Sequence, residues 1–168
     1  PLAGIEPLSF KINEFEDIRP YKKLIGGFGP SVELEDQKVS EIITFAISKE
    51  LKRNGHKILS STDPNKADVI IEGVVRRYWV EGRDQFFGGS KVTADVEIEI
   101  SVTSVGTEKP FTKVYLGNYY FKPSFGLNAF NIGPIYTDAI NQALLNMLKE
   151  FTTDEDFLSK IKKVKRSE

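Results

Sequence analysis

Residues 91–104, KVTADVEIEISVTS, decide the fold. Val92, Ala94, Val96, Ile98, Ile100 and Val102 fall on one side of an extended chain, and Thr93, Asp95, Glu97, Glu99, Ser101 and Thr103 on the other. Side chains alternate faces along a strand, so six in-phase pairs specify one buried face and one wet face, and a slip of one residue would invert them all. Upstream, DVIIEGVVRRYWVEG (68–82) is rich in β-branched and aromatic residues. It carries apolar side chains in both phases (Val69, Ile71, Val75, Trp79 against Ile70, Val74, Tyr78, Val80), which reads as a central strand covered on both sides at least in part. A turn at 84–90 joins the two as a hairpin whose paired positions sum to about 174, placing Arg76 or Arg77 beside Glu97. Downstream, a turn at 106–110 leads to a third strand, 112–122, completing an antiparallel meander.

Two helices supply the covering layer. Val39, Ile42, Ile43, Ala46, Ile47 and Leu51 form one apolar stripe, with Asp36 as the expected cap and Asn54-Gly55 as the left-handed stop. Ile135, Ala139, Ile140, Ala143, Leu144, Met147 and Leu148 form a second stripe. A short helix capped by Asp154 carries Phe157, Leu158 and Ile161. Leu8–Ile18 reads as an opening strand that breaks step at Phe15, and 56–60 as another short strand, while 19–36 reads as one long loop rich in Gly and Pro. The expected fold class is α+β: a two-layer sandwich with a mainly antiparallel sheet of about five strands, two main helices on one face and a short C-terminal helix.

The 168 residues form an ordinary globular composition, 40% hydrophobic and 28% charged, with a formal charge of −1, which excludes a strongly basic nucleic-acid binder. No apolar run approaches the roughly 18 residues that a membrane-spanning helix needs. Without cysteine there is no thiolate nucleophile, disulfide or thiolate-held metal, and His56, the only histidine, cannot build a multi-histidine site. No cofactor and no metal site is expected, and no catalytic residue. The glycines of GGFG (26–29) lack the Gly-Lys-Ser/Thr ending of a phosphate loop and lie well before the helix. Asp95, Glu97 and Glu99 stand in a row about 7 Å apart along one strand face, the pattern of an ion-pair ladder rather than of opposed glycosidase carboxylates. In FEDIRP, Asp17 reads as capping a turn and Arg19 as pinning the loop through backbone carbonyls. The terminal run of Lys160, Lys162, Lys163, Lys165 and Arg166 reads as a solvated helix end that complements the macrodipole. Phe28, Phe86, Phe87, Phe125 and Phe130 fall in three separate connections, where aromatic side chains either fold back over the core ends or form a patch for a partner, a lipid or an apolar ligand.

The strand ending FEDIR, the Ile-Gly at 25–26, the unit VSEIITFAISKELKRNGHKI and the following ADVIIEGVV resemble the YajG-type family of bacterial lipoproteins over positions 7–150. The helix–Gly–strand unit with its meander also resembles the TolB N-terminal domain and the small domains of curli-secretion and peptidoglycan-synthase-activating lipoproteins. The resemblance implies secretion through a lipobox cysteine and an acylated N-terminus, on the periplasmic side of a bacterial membrane, with work done by docking to proteins.

The whole chain, 1–168, is therefore expected to be one domain: a linker following the anchor (1–7), a core (8–151), and a C-terminal helix with its basic tail (152–168). The leading expectation is a non-enzymatic envelope lipoprotein domain that binds a protein partner or assists assembly of a complex. The partner is an unnamed envelope protein or a second copy, with no nucleic acid, and the membrane is reached only through a lipid anchor outside this sequence. Contacts are expected from Phe28, Phe86, Phe87, Phe125 and Phe130, on a frame set by Asp17, Arg19, Gly26 and Gly55. The alternatives are an apolar-ligand or lipid-binding domain and, last, a hydrolase using Asp95, Glu97 and Glu99.

Overall fold

The computed structural model describes residues 2–27, 32–34, 37–60, 67–85, 89–104, 109–124, 127 and 132–164. In chain order these form a 3₁₀ turn (Leu2–Gly4), strands β1 (Ser9–Ile12), β2 (Glu16–Asp17), β3 (Leu24–Gly26) and β4 (Val32–Glu33), and helix α1 (Val39–Arg53). Strands β5 (Lys57–Ile58), β6 (Val69–Gln85), β7 (Gly89–Ser104) and β8 (Phe111–Phe121) follow, then helices α2 (Ile132–Thr153) and α3 (Glu155–Lys162).

All eight strands belong to one sheet whose spine is β6. One edge of β6 pairs antiparallel with β7, which pairs antiparallel with β8. The other edge is shared end to end by three short strands, all parallel to it: β1 at Val69–Ile71, β2 at Val74–Val75 and β3 at Val80. Beyond them, β5 joins β1 in parallel and β4 joins β3 antiparallel. The sheet is thus mixed and eight-stranded, which corrects the expected, mainly antiparallel sheet of about five. Four of the strands are only two or three residues long, too short to carry an alternation, and two of them lie inside the connection 19–36. The opening strand likewise divides into β1 and β2.

The helices lie on one face. α2 packs on β6, β7 and β8, while α1 packs on β2, β5 and β6 and touches α2. Val96, Ile98 and Ile100 are buried beneath them, together with Val39, Ile43, Ile47 and Leu51 of α1 and Ala139, Ala143, Met147 and Phe151 of α2. α1 begins after Lys38, which makes no side-chain cap, and Asp36 lies outside the described residues. α2 starts at Ile132, three residues before the expected stripe, with Pro134 in its first turn, where the missing N–H is harmless.

β6 also departs from its expected two-sided reading. Val75 faces Ile98, but Arg77 faces Glu97, so Arg76 is the extra residue of a β-bulge. The pairing sum moves from 173 below the bulge (Val69 with Ser104) to 174 above it (Tyr78 with Val96). Val69, Ile71 and Val75 therefore share the helix-covered face with Tyr78 and Val80, although the two groups differ in sequence phase. One phase slip brings Tyr78 and Val80 to the core beside Val75, while Ile70, Val74 and Trp79 lie half-buried on the other face.

The helix layer sits close because glycine permits it. An added Cβ at Gly117 would overlap the carbonyl oxygen of Ala143 and the backbone of Met147, so α2 rides directly on β8 there. The ring of Tyr136 lies across Gly26 and Gly82, with an added Cβ falling 2.7 Å from its Cδ2 and 2.5 Å from its hydroxyl respectively. α2 also caps the outer edge of β8: Leu116 N–H donates to Glu150 Oε2 at 2.9 Å, and Asn146 Nδ2 donates to the Asn118 carbonyl at 2.7 Å. At the far end, Asp154 caps α3 by accepting from the Asp156 N–H, and it also accepts from the Tyr115 hydroxyl and pairs with Lys113, both at 2.8 Å.

Two predictions follow from this packing. Gly117→Ala should lower stability by about 1–3 kcal/mol in urea unfolding, because the obstacle is helix backbone rather than a movable side chain; the same change at exposed Val114 should move it by less than about 0.5 kcal/mol. His56 is buried with Nδ1 accepting from the Leu8 N–H at 3.2 Å, and its ring meets Phe10 edge-on. Burial holds its pKa below 6.5, against the opposing pull of a backbone hydrogen bond to Leu2. The folded state thus binds fewer protons than the unfolded one, so the His56 contribution is complete above about pH 6.5 and is lost as pH falls below it. For Asp154, burial works upward, but the hydrogen bonds from Lys113, Tyr115 and the Asp156 amide outweigh it and hold the carboxyl below 3.8, so its contribution is lost only at more acid pH. Thermal melts should show two separate acid losses, the first abolished by His56→Asn and the second by Asp154→Asn.

Candidate functional site

Between β2 and β3, residues 76–79 of β6 have no strand partner on that edge among the described residues. The side chain of Arg19 occupies the gap. Its Nη1 donates to the Tyr78 carbonyl at 3.2 Å and to the Leu24 carbonyl at 3.1 Å, its Nη2 to the Lys22 carbonyl at 2.7 Å and to Asp17 Oδ2 at 2.8 Å, and its Nε to Asp17 Oδ1 at 2.9 Å. These five bonds use every N–H of the guanidinium. Asp17 also accepts from the Arg19 N–H at 3.1 Å, closing the turn, and Ile18 N–H reaches the Val75 carbonyl. Both side chains are buried, at 5% and 10% exposure. One planar cation thus ties the Tyr78 carbonyl of β6 to the Lys22 and Leu24 carbonyls of the following connection, a task its rigid fork suits and a lysine could not copy.

Beside this guanidinium lies a cleft of about 320 Å³ lined by Arg19, Pro20, Tyr21, Arg77, Tyr78 and Trp79. Tyr21 is 64% exposed and Ile18 lies open beside it. Arg77 and Trp79 point away from the helices because the bulge has turned Tyr78 inward. Arg77 pairs with Asp95 at 3.2 Å, and a Cβ added at Gly27 would just touch the Trp79 ring, 3.8 Å away. The cleft joins rings and a proline to a rim guanidinium.

Phe28, Phe86, Phe87, Phe125 and Phe130 lie outside the described residues, as does the Phe28-Gly29 half of GGFG. Gly26 lies in β3 beneath the Tyr136 ring, and Gly55 follows α1 with φ +89°, the left-handed region that favours glycine. Asp95, Glu97 and Glu99 are in a row on the uncovered sheet face. Asp95 is held by Arg77 and by Asn118 Nδ2 at 2.6 Å, and Glu99 by Arg76. Exposed Val114, Leu116 and Tyr120 share that face, with Lys91 over the Tyr120 ring. Of the C-terminal lysines, Lys160 bonds the Lys109 carbonyl. Among the described residues no group of three His, Asp or Glu side chains gathers as a metal site would require, and no helix is long and apolar enough to cross a membrane.

Tyr21 and Trp79 are not among the contact residues expected from the sequence. The signal for Tyr21 was present, an aromatic side chain between Pro20 and two lysines in a connection. Trp79, expected on the face of Val69, Ile71 and Val75, lies on the opposite one, because its facing depends on the bulge at Arg76.

No family model matches the chain, and no curated protein does. The fold itself is shared. Protein XCC0632 from Xanthomonas campestris, of the family DUF330, is similar over 94% of this chain and 86% of its own, with a TM-score of 0.57 at 12% identity. A candidate lipoprotein from Caulobacter crescentus CB15 is similar over 88% of this chain and 91% of its own, with a TM-score of 0.50 at 7% identity. The chain therefore has the fold of bacterial proteins that include a candidate lipoprotein.

The gap-filling role of Arg19 has a direct test. Arg19→Ala should cost about 3–5 kcal/mol in urea unfolding, since it strands a buried carboxylate and three carbonyls. Arg19→Lys should recover only part of that, and both should shift the emission of Trp79, the one tryptophan of the chain.

Proposed function

We propose that the chain is the folded part of a lipid-anchored bacterial envelope protein, related to the YajG-type family, which faces the periplasm and holds a protein partner rather than catalysing a reaction. The cleft beside Arg19 carries the reading: rings, a proline and a half-exposed guanidinium lie open at the sheet edge. Such a surface takes an extended apolar segment, with proline or aromatic residues stacking on Tyr21 and Trp79, in the manner of grooves that grip extended peptides. The fold shared with a candidate lipoprotein supports the envelope setting, as does the FEDIR motif that forms the cleft's frame. A volume of about 320 Å³ also suits a small apolar ligand, the second reading.

A photocrosslinking residue at Tyr21, in bacterial cells making the protein with its native N-terminus, should yield one dominant protein adduct. Trp79→Ala should abolish it, and the same probe at exposed Glu155 should not give it. Equal labelling at both positions would overturn partner binding here. Labelling at Tyr21 by a small apolar molecule alone would transfer the cleft to the second reading.

A further inference from the structure

Five strands share one end of the sheet. Ser9 of β1 lies beside Lys57 of β5, Phe10 beside Val69 of β6, Val69 opposite Ser104 of β7, and Val102 opposite Phe111 of β8. The N-terminal segment is tied to this pole, since Leu2 is fully buried and the Leu8 N–H donates to His56, the residue before β5. Two helices finish here. The His56 N–H returns to the Leu51 carbonyl, which sets the end of α1 against β1 and β5, and Lys160 Nζ donates to the Lys109 carbonyl, which sets the end of α3 at the entry to β8. The topology therefore gathers Lys52 and Arg53 of α1, Lys57 of β5, Lys109 before β8, and Lys162 and Lys163 at the close of α3, all exposed. Among the described residues the carboxylates of this pole are Glu6, Glu50 and Asp68. Asp68 already accepts the Ser9 N–H at 2.7 Å, and Glu50 accepts from Asn54 Nδ2 at 3.0 Å. Asp154, Glu155 and Asp156 stand at the other end of α3, where Lys113 pairs with the first and last. The two helix ends present only about half a negative charge each, which leaves much of the positive surplus unanswered.

We propose that this pole rests on a bilayer surface carrying anionic phospholipid. The inference rests on the lipid-anchored reading: an anchor ahead of Leu2 would leave the protein at the same pole as the cations. The tether would hold the domain near the bilayer, and the cations would fix which end faces it. Four interstrand spacings make the pole about 19 Å wide, broad enough to meet several headgroups at once rather than a single anion. Each cation near such a surface strengthens binding about fivefold. Trp79 lies ten residues beyond Val69 along β6, about 30 Å from the pole at the rise of an extended strand. The cleft is thus held clear of the headgroups and open to a partner.

The 168-residue chain, which carries no lipid, should co-sediment with vesicles of phosphatidylcholine containing about 40% phosphatidylglycerol at about 50 mM salt, and not with phosphatidylcholine alone. Binding should fall at least tenfold by about 500 mM salt. Lys162→Glu with Lys163→Glu, and separately Lys52→Glu with Lys57→Glu, should each weaken it at least tenfold with unchanged circular dichroism. Lys22→Glu with Lys23→Glu, which changes net charge equally at exposed positions beside the cleft, should leave it within about twofold. Absence of binding at low salt, equal binding to uncharged vesicles, or an equal loss in the Lys22 and Lys23 variant would overturn the proposal. Protein made with its native N-terminus that salt alone strips from cell membranes would instead overturn the anchor while upholding the contact.

Discussion

The bulge at Arg76 is the constraint on which the rest of the molecule depends. A strand of seventeen residues with strict alternation could bury only one phase of its sequence. By opposing two residues of β6 to one of β7, the bulge resets the phase midway, and Val69, Ile71, Val75, Tyr78 and Val80 all reach the same core. The reset turns Arg77 and Trp79 outward together, which builds one wall of the cleft. It also coincides with the stretch where β2 has ended and β3 has not begun. Arg19 closes that break from the side, so the framework and the candidate site share one irregularity.

Much of the architecture was legible in the residues because strong periodicity leaves little choice. β7 repeats its alternation over six pairs, and one face must be dry, so its register and facing could be read directly. α1 was equally clear from its stripe and from Asn54-Gly55. The short parallel strands were not legible, since two residues carry no period and their pairing with β6 is decided by tertiary contacts rather than by local preference. The two-phase pattern of β6 was visible but ambiguous: an apolar run with both phases filled fits either two covered faces or one slip, and only the partner strand decides.

The site divides along the same line. Asp17 and Arg19 are near neighbours in sequence, and a turn joining a carboxylate to a guanidinium can be reasoned from chemistry alone. The contribution of Arg19 to the Tyr78 carbonyl spans 59 positions and could not be read that way. The acidic row on β7, by contrast, is answered by Arg76, Arg77 and Asn118 across neighbouring strands, as pairing distances in a sheet require.

Glu150 and Asn146 have a consequence for crowding. A long rim of free amides and carbonyls is a template on which like chains can stack without limit. With two of its central backbone groups already engaged by the overlying helix, β8 offers such stacking a broken ladder. Neighbouring molecules are left to meet through side chains, whose shape and charge can close an assembly at a finite number of members, rather than through a backbone that would let it grow into a fibre.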